Sequence, residues 1–491
     1  VQYKYYIRGR GAGISIAKYR FKQKKMSEFE NHRKKAREMQ QAQEAREQAA
    51  QEVRRSRTHS RRKNDQKFFL FVFVTIILGI AAAALLSVFF PSGAKKADDG
   101  KAEPVSAQAQ TYTPSTVTWT AAGDIVFHLP FLESGVYLNS SDGTYDYTSI
   151  FDHCRPLLES ADFSTVTMET SLAGEEAGYS GYPMFKAPDA LADALAADGF
   201  DMVNLASNHV YDGLDEGLAR TMEVLSQKNL QYMGTRPDKD HKKYNVVDVN
   251  GIKVGVLSYV YETTAGSGSK SINGIALSDA VAPLINSFDP SNPDVFYSEV
   301  EASLAAMKEE GVQYTIAYMH WGTEYQTQQS QEQTDMAQRL CDMGIDTLIG
   351  SHPHVIQPVD VLTSSDGEHQ MLCCYAIGNF LSNQRSEYMQ AEMPTGETED
   401  SYLLTLTLSS DKKGKVTLTD AAFTPMWTYR YETDAGAAFA VLPVNDTSSL
   451  EETTGLSGIK AEADESAART QAIIGEGVEK VKAALPLKSA I

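Results

Sequence analysis

Five short apolar runs of this chain end in residue types that bind metal ions. The run ends carry, in chain order, Asp124, Glu169, Asn208 with His209, His320, and His352 with His354. In an open α/β sheet, ligands bind beyond the carboxyl ends of the strands, so residues far apart in sequence converge there if each ends its own strand. Carboxylate, amide and imidazole are hard-to-borderline donors, a mixture that suits Mn, Fe or Zn and is not that of a thiolate site. The pattern therefore predicts a metal centre on an α/β fold.

Each of these residues alone has a structural interpretation. A lone His at a strand end is often only a hydrogen-bonded group, and Asp, Asn or Glu there often caps the next helix. The joint pattern favours ligands, because four of the ten histidines fall at the ends of predicted strands. His352 and His354 lie two residues apart, a spacing that lets both imidazoles of an extended segment reach one pocket.

Helical and extended patterns alternate from Val117 onward. Helices are predicted over 190–197, 216–227, 299–310 and 331–342, between strands near 117–121, 163–168, 201–206, 314–319, 345–349 and 371–377. This alternation predicts crossover units and a largely parallel sheet. Asn250-Gly251 between two β-rich runs predicts a hairpin. Residues 401–427 are predicted as added antiparallel strands and 461–485 as a terminal helix.

Residues 68–90 carry no charge, and as a helix they would span ~34 Å, enough to cross a bilayer core. The alternative is a cleaved signal peptide, whose apolar region would be ~7–15 residues long and close to the N-terminus. Seven Lys and Arg residues stand within 54–67 and only three within 91–110. This asymmetry predicts a cytoplasmic N-terminus, a single span and an extracellular C-terminal domain at the cell membrane.

Charge divides the chain in the same way. Residues 1–67 hold 20 Lys and Arg against 7 Asp and Glu, whereas the remainder holds 25 against 57. So acidic an outer part argues against nucleic acid as a partner. A polyanionic substrate would need a local positive charge such as a bound cation.

The four cysteines form no Cys-x-x-Cys pair, and adjacent Cys373 and Cys374 are predicted to be apolar fillers on opposite faces of a strand.

These observations divide the chain into five segments. They are a basic cytoplasmic segment 1–67, disordered or helical, a transmembrane helix 68–90, a flexible stalk 91–115, a metal-binding domain 116–390, and a C-terminal β extension with a terminal helix 391–491.

Six motifs together resemble one known family. They are Gly-Asp at 123–124, Met-Glu-Thr-Ser at 168–171, Ser-Asn-His at 207–209, Met-His-Trp-Gly-Thr-Glu-Tyr at 319–325, Gly-Ser-His-Pro-His at 350–354 and Ile-Gly-Asn-Phe at 377–380. In order and spacing, over about residues 115–385, they resemble the CapA family of poly-γ-glutamate capsule synthesis. That family resembles a branch of the calcineurin-like metallophosphoesterases.

The resemblance implies an α/β fold of layered sheets with helices on the outer faces. It also implies a part in the synthesis, export or anchoring of a surface polyanion such as poly-γ-glutamate, through a metal-dependent hydrolase-type site. Expected partners are the anionic surface polymer, the membrane through residues 68–90, and other membrane subunits of a polymer synthase.

The resemblance also assigns roles to single residues. It implies that Asp124 and His354 hold one divalent metal ion, that Glu169 takes the place of a bridging carboxylate, and that Asn208, His320 and His352 hold a second ion. His209 would be the proton donor, oriented by Asp212. Trp321, Glu324 and Asn379 are predicted substrate contacts. For the aromatic residues that follow His320, the alternative to substrate contact is structural packing beneath the loops of the site.

Two departures from the superfamily pattern leave it open whether the site binds one metal ion or two. Val126 stands where a metal-binding His is usual, with His128 two residues further on, and Val210 stands where an acid usually follows Asn-His. The first departure keeps open a non-catalytic binding or assembly subunit of a capsule synthase. A further alternative is an extracellular metal-dependent phosphoesterase. A serine nucleophile is disfavoured because the chain has no Gly-x-Ser-x-Gly motif.

Overall fold

The structure is a computed structural model that describes residues 112–139, 141–264 and 269–491. Segments 1–67 and 68–90, and all but the last four residues of the predicted stalk, lie outside these ranges. Within them, no helix combines the length and the apolar character that crossing a bilayer requires.

The described residues form nineteen strands. In chain order these are β1 (Thr116–Val126), β2 (Phe163–Glu169), β3 (Met202–Asn204), β4 (Gln231–Met233), β5 (Tyr244–Val249), β6 (Ile252–Tyr261), β7 (Thr263–Thr264), β8 (Lys270–Ile272), β9 (Ile275–Ala276), β10 (Ser287–Phe288), β11 (Tyr314–His320), β12 (Thr347–Ser351), β13 (Val359–Thr363), β14 (Gln370–Cys374), β15 (Asn379–Leu381), β16 (Asp400–Ser410), β17 (Val416–Thr433), β18 (Gly436–Pro443) and β19 (Leu487–Lys488).

Eight α-helices occur in the same ranges. They are α1 (Leu129–Glu133), α2 (Arg155–Glu159), α3 (Ala190–Ala197), α4 (Leu214–Gln227), α5 (Asp294–Glu309), α6 (Gln331–Asp342), α7 (Leu450–Thr454) and α8 (Lys460–Ala484). The bounds predicted for α3 and α6 agree with the structure, whereas α4 and α5 begin two and five residues before their predicted starts. Ser330 and Gln333 form a capping box that fixes the start of α6.

Two mixed sheets hold most of the strands. The first has the order β18-β17-β16-β1-β2-β3-β4, with β15 beside β1 and β19 beside β17. The second has the order β10-β6-β11-β12-β14-β13, with β5 beside β6. Strands β1 to β4 are parallel, as are β10, β6, β11, β12 and β14. Strands β16, β17 and β18 extend the first sheet in antiparallel order, and β5 and β13 are antiparallel to their neighbours in the second. Alternation alone predicted one largely parallel sheet, and the structure corrects this to two.

The two sheets pack face to face because alternate side chains of each are apolar. Val117, Trp119 and Ala121 of β1 share one buried cluster with Tyr314 and Tyr318 of β11. The Trp119 indole N–H donates to the Tyr318 hydroxyl at 3.1 Å, which ties the sheets together. Helices α3 and α4 cover the other face of the first sheet, and α5 and α6 cover that of the second. The layered α/β architecture with outer helices is confirmed.

Four smaller predictions are also confirmed. The hairpin β5–β6 turns at Asn250 and Gly251, whose φ angles of 51° and 84° are those a tight hairpin turn needs. Strands β16 and β17 are antiparallel, and α8 is the terminal helix. Cys373 and Cys374 are fully buried in the cores on opposite faces of the second sheet.

Candidate metal centre

The carboxyl ends of strands from both sheets deliver the predicted ligands. Asp124 lies near the end of β1, Glu169 and His320 end β2 and β11, Asn208 follows β3, and His352 and His354 follow β12. All six side chains are buried. The sequence therefore brings together residues up to 230 positions apart because β1, β2, β3, β11 and β12 run in parallel sets within their sheets.

A bulge at Gly123 positions Asp124. The register between β1 and β2 shifts there, and the Asp124 N–H donates to the Gly378 carbonyl at 2.9 Å. A Cβ on Gly123 would lie 2.0 Å from that carbonyl oxygen, so only glycine allows the approach. Asp124 Oδ2 accepts from the His352 backbone N–H at 3.0 Å, whereas Oδ1 is buried and has no hydrogen-bond partner within the described ranges.

Glu169 is the second carboxylate and is fully buried. Neither of its oxygens has a hydrogen-bond partner in the part of the chain that the structure describes. Burial raises the pKa of Glu169 well above its ordinary value, and the nearby charge of Asp124 raises it further. Two buried carboxylates side by side need either protons or a cation to be stable.

His320 joins the two sheets at this point. Its Nε2 lies 2.9 Å from Asn208 Oδ1 and 3.9 Å from Glu169 Oε1, while its Nδ1 lies 2.8 Å from Ser351 Oγ. Burial lowers the pKa of His320 well below its ordinary value, which favours the neutral imidazole that binds metals. Ser351, at the end of β12, thus orients the imidazole of His320, a predicted ligand on the neighbouring strand β11.

His352 and His354 have positive φ angles of 96° and 58°, which are strained for residues other than glycine. The Asn379 amide N–H donates to the Thr398 carbonyl at 2.9 Å, so its Oδ1 accepts from His354 Nδ1 at 3.0 Å. That bond leaves His354 Nε2 as an acceptor. Burial lowers the pKa of His354 to about 4, so the ring is neutral.

These residues fit a divalent cation. Donor atoms of Asp124, Glu169 and His354 lie within 4.8 Å of one another, and so do those of Glu324, His352 and His354. Asp124 Oδ1, both Glu169 oxygens and His352 Nδ1 are buried with no hydrogen-bond partner among the described residues. The mixture of carboxylate and imidazole suits a transition metal. His354 belongs to both groups, and since its Nδ1 is bonded to Asn379, its Nε2 can bind only one ion, so the two groups share this ligand.

His209 lies beside the candidate ligands and belongs to neither group. Its Nδ1 lies 2.8 Å from Asp212 Oδ2, which also accepts from the Phe185 backbone N–H at 2.6 Å. The Phe185 ring meets the imidazole edge-on at 4.6 Å between centroids. Burial raises the pKa of Asp212, and its hydrogen bond to His209 opposes that rise. The predicted pair of proton donor and orienting acid is therefore in direct contact.

The three predicted substrate contacts lie in different places. Trp321 is 2 % exposed, packs under the helices of the second sheet and donates from its indole to the Tyr375 carbonyl. This favours packing over the predicted substrate contact. Asn379 is fully buried and orients His354. Glu324 alone is exposed, next to His352 and His354. Val126 is buried, and His128 belongs to neither donor group.

Sequence reasoning missed one orienting residue, Ser351, and predicted a different role, substrate contact, for a second, Asn379. Ser351 and Asn379 hold imidazole nitrogens of His320 and His354. Both stand inside motifs, Gly-Ser-His-Pro-His and Ile-Gly-Asn-Phe, and that position was a usable signal.

Comparisons with known proteins identify relatives. The family described as "Bacterial capsule synthesis protein PGA_cap" matches residues 118–384. "Capsule biosynthesis protein CapA" of Bacillus anthracis is 27% identical over 273 residues, which cover 55% of this chain and 60% of that protein. "PGA biosynthesis protein CapA" of Bacillus subtilis (strain 168) is 22% identical over 296 residues, 58% of this chain and 68% of that one. The match thus spans about three fifths of the length of the first relative.

Two solved structures are also similar. A 5'-nucleotidase precursor from Thermus thermophilus is 13% identical with a TM-score of 0.35, covering 73% of this chain and 59% of that one. The calcineurin-like phosphoesterase YfkN from Bacillus subtilis is 12% identical with a TM-score of 0.33, covering 75% of this chain and 100% of that one. Likenesses at these TM-scores carry no argument about function.

Proposed function

Because the chain belongs to the bacterial capsule synthesis family PGA_cap, we propose that it acts in the synthesis, export or anchoring of an anionic surface polymer such as poly-γ-glutamate, through metal-dependent hydrolysis. One observation carries the hydrolytic part. Asp124 and Glu169 are buried side by side, and three of their four oxygens lack a hydrogen-bond partner within the described ranges. Neutral imidazoles next to them complete a donor set for a divalent ion.

In this proposal His209 supplies the proton to the leaving group. Asp212 accepts from His209 Nδ1, holds the ring in one orientation and stabilises the imidazolium that carries the proton. The Phe185 ring packs against the imidazole and shields it from water. Ser351 and Asn379 keep His320 and His354 oriented. A divalent cation would neutralise the two buried carboxylates and polarise a phosphoryl or carboxyl oxygen of the substrate.

The proposed location follows from the sequence. We place the N-terminus in the cytoplasm, the span at 68–90 and the acidic remainder outside the cell, where an anionic polymer would be the substrate and other membrane subunits of a polymer synthase the partners. An acidic domain repels a polyanion, so attraction would come from the cation at the site.

Two other functions remain as alternatives. A non-catalytic assembly subunit is favoured by Val126, because β1 then offers a single ligand, Asp124. An extracellular phosphoesterase would use the same side chains on a smaller substrate.

His209→Ala separates an enzyme from a scaffold. The 491-residue chain, supplied with Mn²⁺, would be assayed against phosphoester and γ-glutamyl substrates beside His209→Ala and the control His241→Ala, an exposed His outside both donor groups. An enzyme would lose turnover by ~10²–10⁴ in the first variant while keeping its metal. If His209→Ala cells make normal polymer and cells lacking residues 112–491 make none, the hydrolase proposal fails and the scaffold stands.

A further inference from the structure

Glu324 lies in the loop after β11, four residues beyond His320. Although its side chain is exposed, a carboxylate oxygen falls within 4.8 Å of donor atoms of both His352 and His354.

A second observation points to a ligand at this place. His352 is 4 % exposed, and its Nδ1 is buried without a hydrogen-bond partner in the described part of the chain. A buried imidazole nitrogen with no partner costs free energy unless something binds it. Exposed acids are common on any surface, but one that meets two buried imidazoles is not an ordinary surface group.

Hydrogen bonds hold the loop against the cluster. The N–H of Tyr325 donates to the Pro353 carbonyl at 2.8 Å, between the two histidines. Its hydroxyl accepts from Gln384 Nε2 at 3.2 Å, and Gln384 accepts from Asn379, the residue that orients His354.

The loop is also held at Gln326 and Gln328, whose carbonyls accept from the side chain of fully buried Gln357 at 2.8 and 3.2 Å. The loop that carries Glu324 is therefore anchored by hydrogen bonds that connect it to Asn379, the residue that orients His354.

We propose that Glu324 is a metal ligand that completes the coordination of an ion bound by His352 and His354. His352 and His354 supply only two donors to such an ion, so a further donor has to come from another element. The carboxylate of Glu324, on an anchored loop, can supply this donor from the solvent-exposed side of the site. This inference rests on the proposed function in one respect, that the site binds a metal.

The test is Mn²⁺ binding by the metal-stripped 491-residue chain, measured by isothermal titration calorimetry. Glu324→Gln keeps the size of the side chain and removes its charge, and should weaken binding by at least ~10-fold, since even a residue that only orients a ligand costs that much. Glu324→Asp keeps a carboxylate on a shorter arm and should weaken it less. Glu301→Gln, an exposed Glu on α5, is the matched control and should bind like the parent.

The outcomes separate this inference from the proposed function. A parent chain that binds no Mn²⁺ would refute the metal-dependent function together with the role of Glu324. If the parent binds Mn²⁺ and Glu324→Gln binds it with the same affinity, the ligand role of Glu324 alone is refuted. If Glu324→Gln raises KM and leaves Mn²⁺ affinity unchanged, Glu324 is a substrate contact and not a ligand. Far-UV circular dichroism of each variant checks that the fold is retained.

Discussion

Asp124→Asn should stabilise the metal-free chain and weaken its metal binding. Burial raises the pKa of Asp124 to about 7 from the ordinary 3.8, although the hydrogen bond from the His352 N–H opposes that rise. The unfolded chain therefore releases this proton near pH 4, and the folded metal-free chain holds it until about pH 7. The free energy of unfolding must fall as pH rises through this window. Asparagine keeps an oxygen for the His352 N–H and carries no charge.

The magnitude follows from the same numbers. Each factor of ten in proton affinity is worth about 1.4 kcal/mol, so a pKa of about 7 in place of 3.8 sets a cost of at most ~4 kcal/mol. Water entry and relaxation reduce it. We therefore expect Asp124→Asn to gain up to ~4 kcal/mol of unfolding free energy at about pH 8 and almost nothing at about pH 4.

Urea unfolding in the presence of a chelator measures this difference. Asp240→Asn, on an exposed loop, is the control and should match the parent at both pH values. Adding Mn²⁺ should stabilise the parent more than Asp124→Asn, because a ligand that binds only the folded chain raises its stability. Equal stability of parent and Asp124→Asn at about pH 8, or a less stable variant, would refute the view that the buried carboxylate is uncompensated without metal.

Three further predictions test other parts of the account. Asp212→Asn should lower turnover less than His209→Ala does, because it disturbs the orientation of the imidazole and leaves the proton donor in place; steady-state kinetics checks this. Gly123→Ala should destabilise the fold by ~1–3 kcal/mol or more in urea unfolding, since its Cβ would lie 2.0 Å from a carbonyl oxygen. A reporter active only outside the cytoplasm should work when fused just after residues 68–90 and be silent when fused just before them; the reverse would overturn the orientation.

Strand ends could be predicted from the sequence because two local signals coincide there. Apolar runs such as 314–319 mark a buried strand, and a polar residue that ends one, such as His320, has to face the edge of the sheet. The helices that begin at Ala190 and Gln331 were predictable for the same reason, since their apolar periodicity is local.

Strand partners could not be predicted, because pairing is a long-range property. Strand β16 runs antiparallel beside residues 116–121 of β1, almost three hundred positions away, and β15 joins β1 through a register shift. Nothing in a window of ten residues distinguishes one sheet from two.

The environments of individual side chains could not be predicted either, because they also depend on long-range packing. Trp321 directly follows His320, a predicted ligand, and was therefore predicted to contact substrate. Its side chain is instead buried in the core. Glu324 belongs to a loop without periodicity, so only the folded structure shows its distance from His352 and His354.

The metal content of the chain tests the central claim most directly. The 491-residue chain and its His320→Ala, His352→Ala double variant would be purified in parallel and assayed by elemental mass spectrometry, with His241→Ala as control. We predict that the parent and the control carry a divalent transition metal and that the double variant loses it, while far-UV circular dichroism stays largely unchanged, because ligands on strand-end loops contribute less to folding than a structural zinc does. Unchanged metal content in the double variant would contradict the account and leave these histidines as structural residues.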